Sequence, residues 1–138
     1  LPTSLSPFFF FINIQELTNT VNGVLITTAG DPHREIKGAF AADLMSDVLA
    51  SIQPDAVLIT GLCNPQVVRT AHMADVAAII LVRGKRAPDE TLSLANQEGI
   101  PIIQTPFGMY EACSRINQAG LSSLEQPISS HDCECQEE

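Results

Sequence analysis

Three short stretches carry most of the residues whose type and spacing suit chemistry. They are Thr60-Gly61-Leu62-Cys63-Asn64, Arg83-Gly84-Lys85-Arg86 and Gln104-Thr105-Pro106. Each follows an apolar run and precedes a helical pattern. In an open parallel sheet, such turns gather outside the carboxyl ends of the strands, where ligands bind. Asn64 and Thr105 read as helix N-caps, and the free N–H groups and dipole of a helix start favour anions. The middle stretch adds three cations. Thr60, Gly61, Asn64, Arg83, Gly84, Lys85 and Thr105 are therefore the candidate ligand-binding residues, suited to a phosphate, a nucleotide or a partner's carboxylate. The same residues also fit plain roles as caps, turn glycines and a solvated loop. Neither Gly-x-x-x-x-Gly-Lys-Ser/Thr nor Gly-x-Gly-x-x-Gly occurs, so the specific phosphate motifs are absent.

Other reactive groups are less well supported. His33 and Glu35 with Asp31 nearby would suit acid–base work, but no nucleophile stands beside them, and a solvated loop fits as well. His72 falls off the apolar stripe of its helix and reads as a surface or interface residue. His131, Cys133 and Cys135 crowd three soft ligands into five residues without a second pair, so adventitious metal binding is expected over a built zinc site. Cys63 and Cys113 complete the count of four cysteines. The strong core signal argues for reduced thiols in a cytoplasmic protein over a secreted disulfide framework. No set amounts to a catalytic constellation and none implies a cofactor. The expectation is a non-enzyme.

These turns need elements to hold them in place. Ile14–Asn19 suggests a short helix before an Asn22-Gly23 turn, and Val24–Thr27 a first strand. Ala41, Leu44, Met45, Val48, Leu49 and Ile52 recur at helical spacing and predict a helix from about Ala39 to Ile52. Ala56–Thr60 reads as the second strand, and its Val57-Leu58-Ile59-Thr60 repeats Val24-Leu25-Ile26-Thr27, so both are expected to be buried alike. Asn64 and Pro65 start the next helix, Ala77–Val82 is an apolar third strand, and Pro88 opens a helix that Gly99 ends. Ile100–Gln104 is a fourth strand, with Pro101 arguing for an edge or a strand start. Thr105 is expected to cap a last helix that begins at Pro106 and closes at Gly120. The alternation from Val24 to Ala119 predicts a layered α/β/α domain with a small, mostly parallel sheet, joined by right-handed crossovers.

Composition bounds the rest. The 138 residues suffice for one domain, and 45% hydrophobic against 17% charged residues is a globular balance. The formal charge of −9, with Lys and Arg spread thinly, argues against nucleic-acid binding. Phe8 to Ile12 is five apolar residues, against about 20 for a membrane span. The division expected is an extension or appended segment over 1–13, the α/β domain over 14–121, and a loose acidic tail over 122–138. The Phe8–Phe11 run wants a surface to cover, on this domain or on a partner.

The run from Ile59 to Cys113 resembles the DRTGG domain family, small α/β modules similar to the non-catalytic N-terminal domain of HPr kinase. Such modules stand alone or are joined to phosphate acetyltransferases, CBS-domain regulators and related pyrophosphatases. The resemblance covers roughly Ile14 to Leu121. It is carried by the strand-turn-helix at Thr60 to Ala71, the Gly84-to-Pro88 loop, and Gly99-Ile100-Pro101 leading to Thr105-Pro106-Phe107. Where the family's Asp-Arg-Thr-Gly-Gly signature would fall, this chain reads His33-Arg34-Glu35-Ile36-Lys37-Gly38, keeping a basic residue and a glycine. The resemblance implies a regulatory or interaction module, often a homodimer, that docks on a partner enzyme or regulator. The alternative it implies is a sensor of a nucleotide or another anionic metabolite.

Overall fold

A strand that is apolar on both faces must hydrogen-bond to strands on both sides, because neither water nor helices can satisfy its backbone. The computed structural model, which describes residues 11–124, meets that demand with a five-stranded sheet. The elements are α1 (Ile14–Thr20), β1 (Val24–Leu25), β2 (Gly38–Ala41), α2 (Met45–Ser51), β3 (Ala56–Thr60), α3 (Pro65–Met73), β4 (Ala78–Leu81), α4 (Asp89–Glu98), β5 (Ile102–Gln104) and α5 (Met109–Gln118). The strand order is β1-β5-β4-β3-β2. β2 to β5 are mutually parallel, and β1 joins β5 antiparallel, with Val24 opposite Gln104. This is the expected layered α/β domain.

Period-two alternation divides each apolar run between two cores. Val57, Ile59, Ile80, Val82 and Ile103 face one, with Leu17 of α1 and Ala112 and Ile116 of α5. Leu58, Ile79, Leu81 and Ile102 face the other, with Val48 of α2, Val67 and Val68 of α3 and Ala95 of α4. α1 starts with a capping box: Glu16 N donates to Asn13 Oδ1, and Asn13 N donates to Glu16 Oε1. α3 has Asn64 as N-cap and Pro65 in its first turn, and α4 ends on Gly99 at φ 73°, all as expected.

Three expectations about these elements fail. The helix over Ala39–Ile52 is shorter and preceded by a strand, because the outer side of β3 needs a partner. Gly38 to Ala41 pair with Ala56 to Ile59, and the helix begins only at Met45. Gly38 is required there: a Cβ would lie 2.6 Å from Leu124 Cβ and 2.9 Å from Ser122 O. Those contacts arise because Ser122–Leu124 runs beside β2, with Ala39 N donating to Ser122 O and Leu124 N donating to Ala39 O.

The second failure concerns the repeated tetrapeptide. Val57 and Leu58 are fully buried, whereas Val24 and Leu25 are 63% and 43% exposed. The letters match but the neighbours do not, since among the described residues β1 is an edge strand with a partner on one side only. The third is Thr105, which does not cap α5. That helix starts at Met109 with Gly108 in the cap position.

At the amino edge of the sheet, Arg34 ties two turns together. Its Nη2 donates to Asp55 Oδ1 at 2.9 Å, to Asp75 O at 2.9 Å and to Asp75 Oδ1 at 3.2 Å. Lys37 Nζ lies 3.6 Å from Asp55 Oδ2. Asp55 and Asp75, just ahead of β3 and β4, sit at φ 71° and 56°, a left-handed conformation that costs non-glycine residues energy. The guanidinium holds both turns in place. Arg34→Ala is expected to destabilise the protein by about 1–2 kcal/mol, discounting a charged hydrogen bond for partial exposure. Urea unfolding checks this, and an unchanged midpoint would contradict the clamp.

Candidate functional site at the carboxyl edge

Because β3, β4 and β5 are adjacent and parallel, their outgoing turns reach the same edge, as the sequence suggested. Hydrogen bonds stitch two of these turns together. Arg83 N donates to Phe107 O at 2.7 Å, and Gly84 N donates to Thr105 O at 2.8 Å. Arg83 and Gly84 both adopt positive φ, 60° and 66°, which turns their N–H groups toward the β5 loop. A Cβ on Gly84 would meet nothing within 4 Å, so backbone conformation is what favours glycine there.

Each candidate residue now has a position. Thr60 is buried, and its hydroxyl donates to Asp43 Oδ1 at 2.9 Å. Gly61 N donates to the same oxygen at 2.8 Å. Asn64 is exposed, and its side chain accepts from Val67 N at 3.3 Å. Thr105 is buried, and its hydroxyl donates to Val21 O at 2.6 Å and accepts from Phe107 N at 3.2 Å. These polar groups therefore already have partners within the chain. Arg83, Lys85 and Arg86 differ: all are exposed, and none makes an ion pair or side-chain hydrogen bond among the described residues. The edge offers an incoming group three unpaired cationic side chains on a pinned loop.

Asp43 went unnoticed in the sequence. It lies within Ala41-Ala42-Asp43-Leu44-Met45, where it reads as the polar side of a helix, and its partners are 17 and 18 residues away. No local signal marks it.

The remaining reactive groups do not gather. His33 N donates to Asp31 Oδ1 at 2.9 Å, a local turn, and both His33 and Glu35 are exposed. His72 Nδ1 lies 3.2 Å from Glu98 Oε1, a surface pair between α3 and α4. Cys63 and Cys113 are free and partly buried, and burial pushes the Cys113 thiol up. No three His, Cys, Asp or Glu groups are placed to hold a metal ion among the described residues. His131, Cys133, Cys135 and Phe8 to Phe10 lie outside those residues, and Phe11 is 45% exposed.

The DRTGG domain profile matches residues 16–119. The chain belongs to the DRTGG domain family. The fold of this DRTGG domain is similar to a crystal structure of the CBS and DRTGG domains from the regulatory region of Clostridium perfringens pyrophosphatase, in complex with the activator diadenosine tetraphosphate. The TM-score is 0.65 at 17% identity, with 79% of this chain and 47% of that chain covered. At this identity the likeness is one of fold, and the chain spans about half the length of that structure. No curated protein matches it. Among the described residues, no helix of this DRTGG domain is long and apolar enough to cross a membrane.

Thr105 holds the edge together from below. Thr105→Val removes one donor and one acceptor at constant shape, leaving Val21 O and Phe107 N without their partner. A loss of about 1–3 kcal/mol is expected, read by thermal or urea unfolding. A variant as stable as the parent would mean that the buried hydroxyl does not brace this edge.

Proposed function

We propose that the chain is a non-catalytic regulatory module that senses a nucleotide or another phosphorylated metabolite at the carboxyl edge of its sheet. The observation that carries this reading is the loop of Arg83, Lys85 and Arg86, exposed and unpaired among the described residues in a chain of net charge −9. Side-chain cations free of internal partners are the groups that bind phosphate. Membership of the DRTGG family supports a regulatory role, and the fold neighbour belongs to a regulatory region crystallised with diadenosine tetraphosphate. The sensing unit is residues 14–121, with 1–13 and 122–138 as extensions, of which Ser122–Leu124 braces β2. Free cysteines on a domain with an ample core suit the cytoplasm.

A second reading, compatible with the first, is homodimerisation and docking on a partner enzyme or regulator. It is favoured by β1, an edge strand whose Val24 and Leu25 expose their side chains. An apolar, unpaired sheet edge is an association site unless something covers it.

A thermal-shift experiment with ATP and diadenosine tetraphosphate tests the sensing reading. At about 100 times its dissociation constant, a ligand adds about 2.7 kcal/mol, several degrees for a domain of this size. Arg83→Ala combined with Lys85→Ala is expected to abolish the shift and leave the unliganded melting temperature unchanged. No shift of the parent protein with either compound would overturn the reading. Sedimentation velocity tests the second one, with a dimer expected for the parent and a monomer for Leu25→Lys. A parent that is monomeric at tens of micromolar would dismiss self-association.

A further inference from the structure

Of the seven Lys and Arg residues, Arg34 and Lys37 pair with Asp55 or Asp75, and Arg115 pairs with Glu111. Arg69 is a single unpaired cation on α3 among the described residues. The one cluster left without acidic partners among those residues is Arg83, Lys85 and Arg86. The acids beyond α5 have no cations of their own. After Arg115 no Lys or Arg follows, while Glu125, Asp132, Glu134, Glu137 and Glu138 do. All five come after Leu124, where the described part of the chain stops beside β2. Ser122–Leu124 runs parallel to β2, with Ser123 opposite Ala39, and so points toward the carboxyl edge.

The sheet register gives the distance that remains. Ser123 is level with Ala39, Val57 and Ala78, and Arg83 comes five residues after Ala78. At about 3.3 Å per residue along the strand and about 4.8 Å for each of three strand spacings, the separation is about 22 Å. Asp132 is nine residues beyond Ser123, and nine extended residues span about 30 Å. The acidic segment therefore reaches the cation loop with slack. At the amino edge Arg34 and Lys37 are already neutralised, so the complementary charge lies at the carboxyl edge. We infer that Asp132–Glu138 of the same chain lies against Arg83, Lys85 and Arg86 when no ligand is bound, and that an incoming anion displaces it. The displacement rests on the anion-sensing reading above; the contact does not. A tether whose span is close to the gap it bridges holds its end at roughly millimolar effective concentration. Carboxylates of weak intrinsic affinity then act as a built-in competitor for the edge.

Zero-length carbodiimide crosslinking of the full chain, mapped by mass spectrometry, tests the contact. The chain has two lysines, Lys37 at the amino edge and Lys85 at the carboxyl edge. The Lys37–Asp55 pair, 3.6 Å apart, is the internal control. Lys85 is expected to link to Asp132, Glu134, Glu137 or Glu138 within a product of monomer size. That link is expected to fade at about 1 M salt, where the Debye length falls to about 3 Å. Linkage of these acids to Lys37 instead, a linked product only of dimer size, or no such link while the control pair joins overturns the inference. Isothermal titration with tripolyphosphate tests the displacement. Asp132→Asn combined with Glu134→Gln, Glu137→Gln and Glu138→Gln is expected to bind it about threefold or more tightly than the parent, as release from a millimolar internal competitor allows. Equal affinity of the two proteins overturns the displacement. A Lys85 link without tripolyphosphate binding by either protein upholds the contact and removes the sensing reading.

Discussion

The two central strands have no side chain in contact with water on either face, and the rest of the domain follows from that burial. Ala56 to Thr60 and Ala78 to Leu81 are at most 1% exposed. A strand in that situation must pair on both sides and be roofed on both faces. Hence β2 and β5 flank the pair, α2, α3 and α4 cover one face, and α1 and α5 cover the other. Parallel pairing then forces every crossover to return over a face, which delivers the outgoing turns of β3, β4 and β5 to one end. The edge is a by-product of burial, and its chemistry was free to vary on top of a fixed frame.

The two ends of the sheet handle charge differently. At the amino edge, positive and negative groups neutralise one another, with Arg34 and Lys37 on Asp55 and Asp75. At the carboxyl edge, the Thr60 and Thr105 hydroxyls and the Gly61, Arg83 and Gly84 N–H groups have internal partners, while three basic side chains are left without partners among the described residues. The loop that bears them is pinned through its backbone to Thr105 and Phe107, so its cations need not pay for ordering the main chain when an anion arrives.

How much of this was legible follows from the range of the interactions. Asn64-Pro65, Gly99 and the apolar run Ala77–Val82 act through local backbone preference or composition, and they read correctly from the sequence. The stretch Ala39–Ile52 misled because its periodicity holds from Met45 onward, whereas Gly38–Ala41 is claimed by the vacant side of β3. Val24–Thr27 and Val57–Thr60 share letters, and only their pairing partners, Gln104 for Val24 and Ala78 for Val57, separate them. Thr105 has a capping residue's chemistry but spends its hydroxyl on Val21, across 84 positions. Arg34 and Asp43 were invisible as organisers for the same reason, since each acts on turns that the fold brings to it.

The sheet's two outer strands are not equivalent. Beside β2 runs the chain's own Ser122–Leu124, admitted by the absence of a side chain at Gly38, while β1 has no strand beyond it among the described residues. Two copies that joined β1 to β1 about a twofold axis would turn their occupied edges outward. Growth would then stop at two, because no free strand remains to template a third. In such a pair, the glycine opposite Leu124 would be what keeps the outer side of β2 occupied.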